Sequence, residues 1–240
     1  MNQVQPILVI GGTRGTGLLI VRLLLRQGAR VRVLARDRER ALTLFDQPID
    51  IVTGDITKPE TLQPAIDGCR HIVFTAGCRS GRPVGEKRIR ETEYQGVLNT
   101  LAASRQVEFG GRFLYMTSSG LLTPSFATRC LNLWKGNTLL WRRRAEAEIR
   151  ASGLEYTVIR TGVLLNRREC EHRIEVTQHP LPLSLCYRIA RADVAQIFVA
   201  ALDHSKAACA TFEAVWGPRG TPEAWDGLLN RLSPDVKVIT

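Results

Sequence analysis

The stretch ILVIGGTRGTGLLIVRLLLRQG, residues 7–28, decides the fold. It begins with four apolar residues of the kind that fill a strand buried on both faces. A turn with Gly11, Gly15 and Gly17 follows, and the apolar residues after it recur at helical spacing. Gly11 permits a tight exit from the strand, Gly15 lets the backbone approach an anion, and Gly17 lets the helix pack closely on the strand. The stretch therefore predicts a strand, a phosphate-binding turn and a helix.

Apolar segments alternate with helical patterns along the first two thirds of the chain. The predicted strands are 6–10, 30–36, 49–55, 71–77, 112–119 and 155–162. The predicted helices between them are 16–27, 38–45, 58–66, 89–104 and 139–152. Because strands and helices in alternation imply parallel strands joined by crossovers, we expect an α/β fold with a doubly wound, Rossmann-like parallel sheet. We expect residues 1–240 to form a single domain of this kind.

The last third of the chain is less regular. HRIEVTQ (172–178) and ATFEAVWG (210–217) predict further strands, and RADVAQIFVAAL (191–202) predicts an amphipathic helix. Folds of this class usually place a substrate-side element after the sixth strand. Residues 163–188 are therefore expected to form a small substrate-side loop or cap.

The composition is that of a globular protein with an unusual charge. Hydrophobic content is 44%, and the formal net charge is +10. Only five of the 33 basic residues are lysines, which leaves 28 arginines. Arginine favours bidentate contacts to phosphate and carboxylate, so either an anionic ligand or a solvated basic surface accounts for the excess. The only dense run, Arg142 to Arg144, is too short to indicate a nucleic-acid partner.

The first residues of the chain and the length of its apolar runs indicate where in the cell it is expected. No run of 18 or more apolar residues is present, so no membrane span is expected. MNQVQP at residues 1–6 lacks the charged and apolar character of a signal sequence, and a cytoplasmic location is expected.

Six cysteines are scattered without a CxxC pair, which predicts reduced and mostly buried thiols. Cys170 and His172 could share a metal ion, but no second ligand pair stands at a useful spacing. We therefore expect no metal site.

The end of the second predicted strand indicates the type of nucleotide. NAD-binding proteins usually carry Asp or Glu there to hold the ribose hydroxyls, whereas this strand ends in Ala35 and Arg36. Asp37 comes one step later and is followed by arginines with which it can pair. Arg14 and Arg36 together would form a cationic pocket suited to a 2′-phosphate, so the cofactor predicted is NADP(H).

With these residues in place, the chain resembles atypical members of the short-chain dehydrogenase/reductase superfamily, of the NAD(P)-binding, NmrA-like group, over about residues 6–216. GDITKPETL (54–62) resembles a third-strand motif in which Asp55 contacts the adenine amino group and Ile56 lies beside the ring. TAGC (75–78), YMTSSG (115–120), IRTGVL (159–164) and RIARADVA (188–195) resemble later motifs of the group. The resemblance and the residues above together give the predicted cofactor-binding set: Gly11, Gly12, Thr13, Arg14, Gly15, Thr16, Gly17, Arg36, Asp55, Ile56, Thr75, Ala76, Gly77, Cys78, Thr117, Arg144, Thr161, Gly162 and Val163.

The sequence departs from the family at the catalytic positions. Active members carry Tyr-x-x-x-Lys after the fifth strand, with the tyrosine as proton donor and the lysine lowering its pKa. Our alignment places Leu140 at the tyrosine and Arg144 at the lysine, where the arginine could still hold a ribose hydroxyl. Glu93 stands for the usual asparagine. Ser118 or Ser119 remains as a weak catalytic candidate, since a serine without its tyrosine makes no proton relay.

Other side chains are candidates for the proton donor that the family tyrosine supplies. Tyr94, Tyr115 and Tyr156 are available, but each lies inside or beside a predicted element, and Cys78 is more often a packing thiol. Trp134 and Trp141 could line a pocket for a flat acceptor, although the core is favoured for both.

Three functions are compatible with these features. The first is an NADPH-dependent reductase of a flavin, quinone or similar conjugated small molecule, for which solvent supplies the proton. The second is a non-catalytic NADP(H) redox sensor, regulator or assembly factor that acts on a protein partner. The third, an RNA-binding protein, lacks an evident platform of aromatic and basic residues.

Overall fold

The computed structural model of the protein describes residues 4–78, 85–123, 125–134, 136–218 and 223–236. An eight-stranded sheet in the order β3-β2-β1-β4-β5-β6-β10-β8 forms its centre, and β7 and β9 form a separate parallel pair. The strands are β1 Ile7–Ile10, β2 Val31–Ala35, β3 Asp50–Thr53, β4 His71–Phe74, β5 Arg112–Ser118, β6 Glu155–Thr161, β7 Val163–Leu165, β8 Ile174–Thr177, β9 Arg188–Ala190 and β10 Ala210–Trp216.

Helices cover both faces of this sheet. They are α1 Gly15–Arg26, α2 Arg38–Leu42, α3 Gln63–Ile66, α4 Glu86–Arg90, α5 Gly96–Gln106, α6 Phe126–Trp134, α7 Thr138–Ala151, α8 Arg191–Ala201 and α9 Trp225–Leu229. Single 3₁₀ turns occupy Pro59–Thr61 and Ser205–Ala207, and a π-helical turn at Glu91–Gln95 joins α4 to α5.

The side chains of β1 show why the sheet is covered on both faces. Ile7 and Val9 belong to the apolar cluster formed with α1, α8 and α9. Leu8 and Ile10 belong to the cluster formed with α3, α5 and α7. Successive side chains of a strand point to opposite faces, so a strand buried on both sides needs an unbroken apolar run. ILVI is such a run, and all four of its residues are buried.

The predicted doubly wound parallel sheet is confirmed, with one exception at its edge. Strands β1 to β6 and β10 pair in parallel, whereas β8 pairs antiparallel to β10. The six predicted strands are present but shorter, mainly because the residues after them form turns. The predicted helix over 89–104 is instead α4, the π-helical turn and α5 in succession.

The strand order reverses at β1, which places the crevice of the fold. β1 lies between β2 and β4, and the chain returns from β3 to β4 on the other side of β1. Open α/β sheets bind ligands in the crevice at the carboxyl ends of the strands, where the order reverses. The glycine turn after β1 lies at this point.

The expectation for the cysteines is partly wrong. All six are free, but only Cys69 is buried, and Cys130, Cys170 and Cys186 are exposed. The exposed three lie on α6 or within residues 163–188, outside the apolar strands that make the core.

Within the described residues, no helix combines the length and apolar character needed to cross a membrane.

Candidate functional site

Each of the three predicted glycines in the turn between β1 and α1 has a backbone or packing requirement. Gly11 and Gly15 have positive φ angles of 90° and 53°, which side chains disfavour. A Cβ on Gly17 would stand 2.3 Å from the Gly11 carbonyl oxygen and 2.5 Å from Thr75 Oγ1. Helix α1 can therefore start this close to β1 and β4 only with glycine at residue 17.

The first turn of α1 offers backbone amides to an anion. Arg14 precedes the helix in an extended conformation, its side chain makes no capping bond, and the first turn carries no acidic residue. Thr16 is buried, and its Oγ1 has no hydrogen-bond partner among the described residues. Free amides and a helix dipole at such an end favour a phosphate group.

The structure places the two arginines predicted for the 2′-phosphate at different turns of this crevice. Arg36 directly follows β2 and is exposed. Arg14 is also exposed, and its Nη2 donates to the Gly77 carbonyl oxygen at 2.8 Å. Asp37 does not compete for a ribose, because its carboxylate accepts the Arg40 amide at 3.0 Å and caps α2.

The turn after β3 holds the two residues predicted to lie near adenine. The Asp55 carboxylate accepts the amide and the hydroxyl of Thr57, both at 2.9 Å. Ile56 is buried and lies so close to α5 that a Cβ on Gly96 would stand 2.7 Å from its Cδ1. Ile56 thus packs into the core beside the crevice, in contact with the helix after β4.

The turn after β4 is held from both sides. Thr75 Oγ1 donates to the Ile10 carbonyl oxygen at 3.1 Å, and a Cβ on Gly11 would stand 2.7 Å from the Ala76 nitrogen. At the far end, the Cys78 amide donates to Glu93 Oε1 at 3.0 Å. Burial raises the pKa of the Cys78 thiol, so this thiol stays protonated near neutral pH.

A buried ion pair lies beneath that turn, and the sequence pattern did not reveal it. Arg142 donates from Nε and Nη2 to the two carboxylate oxygens of Glu93, at 2.7 and 3.1 Å. The Glu93 side chain is only 3% exposed and lies in the π-helical turn. A Cβ on Gly77 would stand 3.4 Å from Arg142 Nη2, so the pair packs directly against the predicted cofactor turn.

Arg144, predicted at the lysine position, lies against the face of Trp141. Its guanidinium lies 4.7 Å from the ring centroid of Trp141 and is exposed, and Leu140 is 39% exposed. Arg142, two residues earlier on α7, is the arginine that reaches the turn after β4. A helix turns about 100° per residue, so a shift of two positions moves a side chain to another face.

The carboxyl ends of β5 and β6 bring the hydroxyl residues together. Thr161 Oγ1 donates to the Thr117 carbonyl oxygen at 3.1 Å. Ser119 is buried and its Oγ donates to Glu213 Oε2 at 2.6 Å, which engages this catalytic candidate within the protein. The hydroxyl oxygens of Thr117 and Ser118 are buried without a hydrogen-bond partner among the described residues.

Residues 163–188, predicted to form a substrate-side loop or cap, contact the turns after β5 and β6. The Val163 amide donates to the Tyr187 carbonyl oxygen at 2.8 Å, and the Gly120 amide donates to that of Leu181 at 2.9 Å. A Cβ on Gly162 would stand 2.5 Å from the Tyr187 carbonyl oxygen, so this close contact needs glycine. We refer to residues 163–188 as the cap.

The three tyrosines considered as proton donors are all engaged elsewhere. Tyr94 donates to Glu148 at 3.0 Å, and Tyr156 donates to Asp235 at 2.9 Å. Tyr115 lies in the core, where burial raises the pKa of its hydroxyl well above the usual range. Tyr115 and Tyr156 belong to β5 and β6, and Tyr94 to the π-helical turn.

The two tryptophans separate in the structure. Trp141 is buried, as favoured, and its ring centroid lies 5.6 Å from that of Tyr94. The core assignment of Trp134 is wrong, because this side chain at the end of α6 is 53% exposed. The short helix α6 was not predicted, and this left its exposed face unrecognised.

The two residues considered for a metal have other contacts. The Cys170 amide donates to Asp193 Oδ1 at 2.8 Å, and the ring centroid of His172 lies 4.1 Å from that of Trp216. No group of three or more possible metal ligands occurs among the residues that the structure describes.

The residues of the crevice fit a nicotinamide dinucleotide. Three buried hydroxyl oxygens there, of Thr16, Thr117 and Ser118, have no partner in the described chain. A buried polar group without a partner costs about 1–3 kcal/mol, which a bound ligand can recover. The glycine turn supplies amides and close approach, and Arg14 and Arg36 supply positive charge at the edge.

Comparison with known proteins identifies the family of the chain. The sequence pattern of a family described as NAD(P)H-binding matches residues 11–205. Sanguinarine reductase from Eschscholzia californica is 28% identical over 208 residues, covering 73% of this chain and 75% of the reductase. Protein TIC 62, chloroplastic, from Arabidopsis thaliana is 30% identical over 179 residues, covering 65% of this chain and 27% of that protein. Photosystem II assembly factor Ycf39 from Cyanophora paradoxa is 40% identical over 81 residues, covering 34% of this chain and 25% of the factor.

The chain thus covers only about a quarter of the length of TIC 62 and of Ycf39. Among solved structures, an NAD-dependent epimerase/dehydratase from Bacillus halodurans superposes with a TM-score of 0.79 and 22% identity, over 95% of this chain and all of that one. A short-chain dehydrogenase/reductase from Veillonella parvula in complex with NADP has a TM-score of 0.69 and 15% identity, over 90% and 96% of the two chains. These structures share the fold. Since the family pattern covers most of the chain, the protein belongs to the NAD(P)H-binding family, and its resemblance to atypical short-chain dehydrogenases/reductases is confirmed.

Proposed function

We propose that the protein is an NADPH-dependent reductase of a flavin, quinone or similar conjugated acceptor that works without a tyrosine–lysine proton relay. The observation that carries this proposal is the end of β2, where Arg36 stands in place of an acid while Asp37 is occupied in capping α2. An exposed arginine at the adenosine end favours a 2′-phosphate over bare ribose hydroxyls.

Under this proposal the predicted cofactor-binding residues act in four groups. The glycine turn and the first amides of α1 bind the pyrophosphate. Arg36 binds the 2′-phosphate, and Arg14 joins it on leaving the Gly77 carbonyl oxygen. Asp55 and Ile56 flank the adenine. Residues 75–78, Thr117 and residues 161–163 line the nicotinamide side, where Arg142 rather than Arg144 lies against the turn after β4.

The chemistry follows from the side chains that are present. When bound, the cofactor supplies a hydride. The predicted tyrosine position holds Leu140, and Tyr94, Tyr115 and Tyr156 donate to other residues or lie in the core, so none of these three can protonate an alkoxide there. Acceptors that spread the added electrons over a conjugated ring need no such acid, because they take a proton from solvent. The protein then contributes orientation and electrostatics.

The similarity to sanguinarine reductase supports a reductase, because the match covers about three quarters of both chains. The test is calorimetric titration with NADPH and with NADH, followed by NADPH oxidation measured with flavin and quinone acceptors. We expect tighter binding of NADPH and oxidation that depends on the acceptor. Arg36→Ala should lower NADPH affinity by about tenfold or more with little change for NADH, from the loss of one charge-assisted hydrogen bond. An unchanged ratio of the two affinities would remove Arg36 from the 2′-phosphate pocket.

A second candidate is a non-catalytic NADP(H)-binding regulator or assembly factor. The likeness to the photosystem II assembly factor Ycf39 supports it, as does the exposed end of α6, where Leu133 is 90% exposed and Trp134 is 53% exposed. Tight NADPH binding without oxidation by any acceptor of the panel would favour this function over the reductase. A cytoplasmic location is proposed with either function.

A further inference from the structure

Arg191 is an arginine beside the glycine turn that the sequence pattern did not single out. It is the first residue of α8, and it is half-buried. Its Nε lies 3.8 Å from the position that a Cβ on Gly15 would take. Gly15 begins α1, so the guanidinium of Arg191 stands next to the backbone that is built to meet a phosphate.

The hydrogen bonds of Arg191 go to uncharged groups. Its Nη1 donates to the Leu164 carbonyl oxygen at 3.1 Å and to Asn166 Oδ1 at 2.8 Å. Burial lowers the pKa of the Arg191 guanidinium, and no carboxylate counters this effect. Arg191 makes no ion pair with any residue that the structure describes.

The other inward-facing arginines are compensated. Arg112, Arg142 and Arg160 each contact a glutamate within 2.7 Å. Placing a cation away from water costs free energy unless an anion is nearby. Arg191 therefore lacks the partner that these arginines have, and an anionic ligand at the glycine turn would supply it.

We propose that Arg191 binds the pyrophosphate of the dinucleotide and, through Leu164 and Asn166, ties the cap to the bound cofactor. This inference rests on the proposed nucleotide binding. The position beside Gly15 assigns Arg191 to the pyrophosphate, whereas Arg36 lies across the crevice after β2. NADPH and NADH share the pyrophosphate and differ in the 2′-phosphate, so the two arginines should affect the two nucleotides differently.

The first experiment titrates wild type, Arg191→Ala and Arg26→Ala with both nucleotides. Loss of a charge-assisted contact at Arg191 should weaken NADPH and NADH binding by the same factor, about tenfold or more. Arg26→Ala removes the same charge from the last turn of α1, roughly 16 Å away at about 1.5 Å per residue. At that distance the charge is screened, and binding should stay within about twofold of wild type. Weakening of NADPH alone, or of neither nucleotide, would overturn the assignment.

Two further variants separate ligand binding from folding. Arg191→Lys keeps the charge and should retain part of the affinity, again with equal factors for both nucleotides, at an unchanged melting temperature. Asn166→Ala leaves the guanidinium and its contact with Leu164 in place, so nucleotide affinity should fall by a smaller factor than in Arg191→Ala, and equally for NADPH and NADH. Hydrogen exchange of the cap should slow on addition of NADPH in wild type and much less in Asn166→Ala. Equal protection of the cap in both proteins, or none in wild type, would refute the tie.

Failure of the proposed function is visible at an earlier step. If the wild-type protein binds neither nucleotide, both proposals fall before any variant is compared. If wild type binds NADPH while Arg191→Ala binds equally well, only the inference about Arg191 falls.

Discussion

The pair between Glu93 and Arg142 makes a quantitative prediction about stability. The Glu93 side chain is 3% exposed, and its carboxylate accepts two bonds from Arg142 and one from the Cys78 amide. Arg142→Met leaves that carboxylate buried with only the amide as a donor. Removing one partner of a buried ion pair typically costs about 3–5 kcal/mol. A domain is stable by only about 5–15 kcal/mol, so urea should unfold the variant at a much lower concentration.

The double variant and a matched control make this prediction specific. Glu93→Leu combined with Arg142→Met removes both charges and should regain most of the loss, because apolar replacement of a buried pair is often close to neutral. Arg144→Met removes an exposed guanidinium from the face of Trp141 and should cost about 1 kcal/mol or less. The free energies come from urea curves recorded with equal slopes. A loss below about 1 kcal/mol for Arg142→Met, or a double variant whose loss equals the sum of the single ones, would show that the pair is not coupled in this way.

Three further perturbations have defined outcomes. Gly17→Ala puts a Cβ 2.3 Å from the Gly11 carbonyl oxygen, so it should weaken NADPH binding and lower the melting temperature. The control Gly110→Ala has no atom within 4 Å of the new Cβ and should leave NADPH binding unchanged. Burial lowers the pKa of His71 below its usual value of about 6.5. Below that pH the unfolded chain binds more protons than the folded one, so the free energy of unfolding should fall as the pH drops from about 6.5 towards the folded pKa. His71→Gln should flatten that part of the stability profile, and an equally steep profile would contradict this. Leu140→Tyr should not create carbonyl reduction in an NADPH assay. Residue 140 is 39% exposed and lies on a different face of α7 from Arg142, the arginine that contacts the turn after β4.

Local pattern was enough to predict the frame of the molecule. The apolar run ILVI predicted a strand covered on both faces, and all four of its residues are buried. The glycines after it predicted a tight turn, and a Cβ at Gly17 would indeed clash with the Gly11 carbonyl oxygen. Each of the six early strands is a short apolar run, so its existence was evident and only its ends were misjudged. The short helix α6 was missed although its nine residues are amphipathic, so its pattern could have been recognised in the sequence.

Contacts between distant residues could not be predicted in the same way. Glu93 and Arg142 are 49 positions apart, and their pairing depends on the π-helical turn that rotates Glu93 towards α7. Sequence alone does not distinguish the faces that Arg142, Arg143 and Arg144 occupy, and the structure brings Arg142 against the turn after β4. Arg191 escaped notice for a related reason, because its neighbour Gly15 is 176 positions away along the chain.

The antiparallel strand β8 constrains how the cap can be exchanged. β8 belongs to the cap and also completes the sheet by pairing with β10, from Glu213↔Thr177 to Trp216↔Ile174. Without it, the outer amides and carbonyls of β10 would lie bare, and an open strand edge is a template for pairing with a second chain. A chimera that imports the whole cap of another protein is therefore at risk of aggregating. Grafts that keep residues 174–177 and replace only the segments on either side should remain monodisperse.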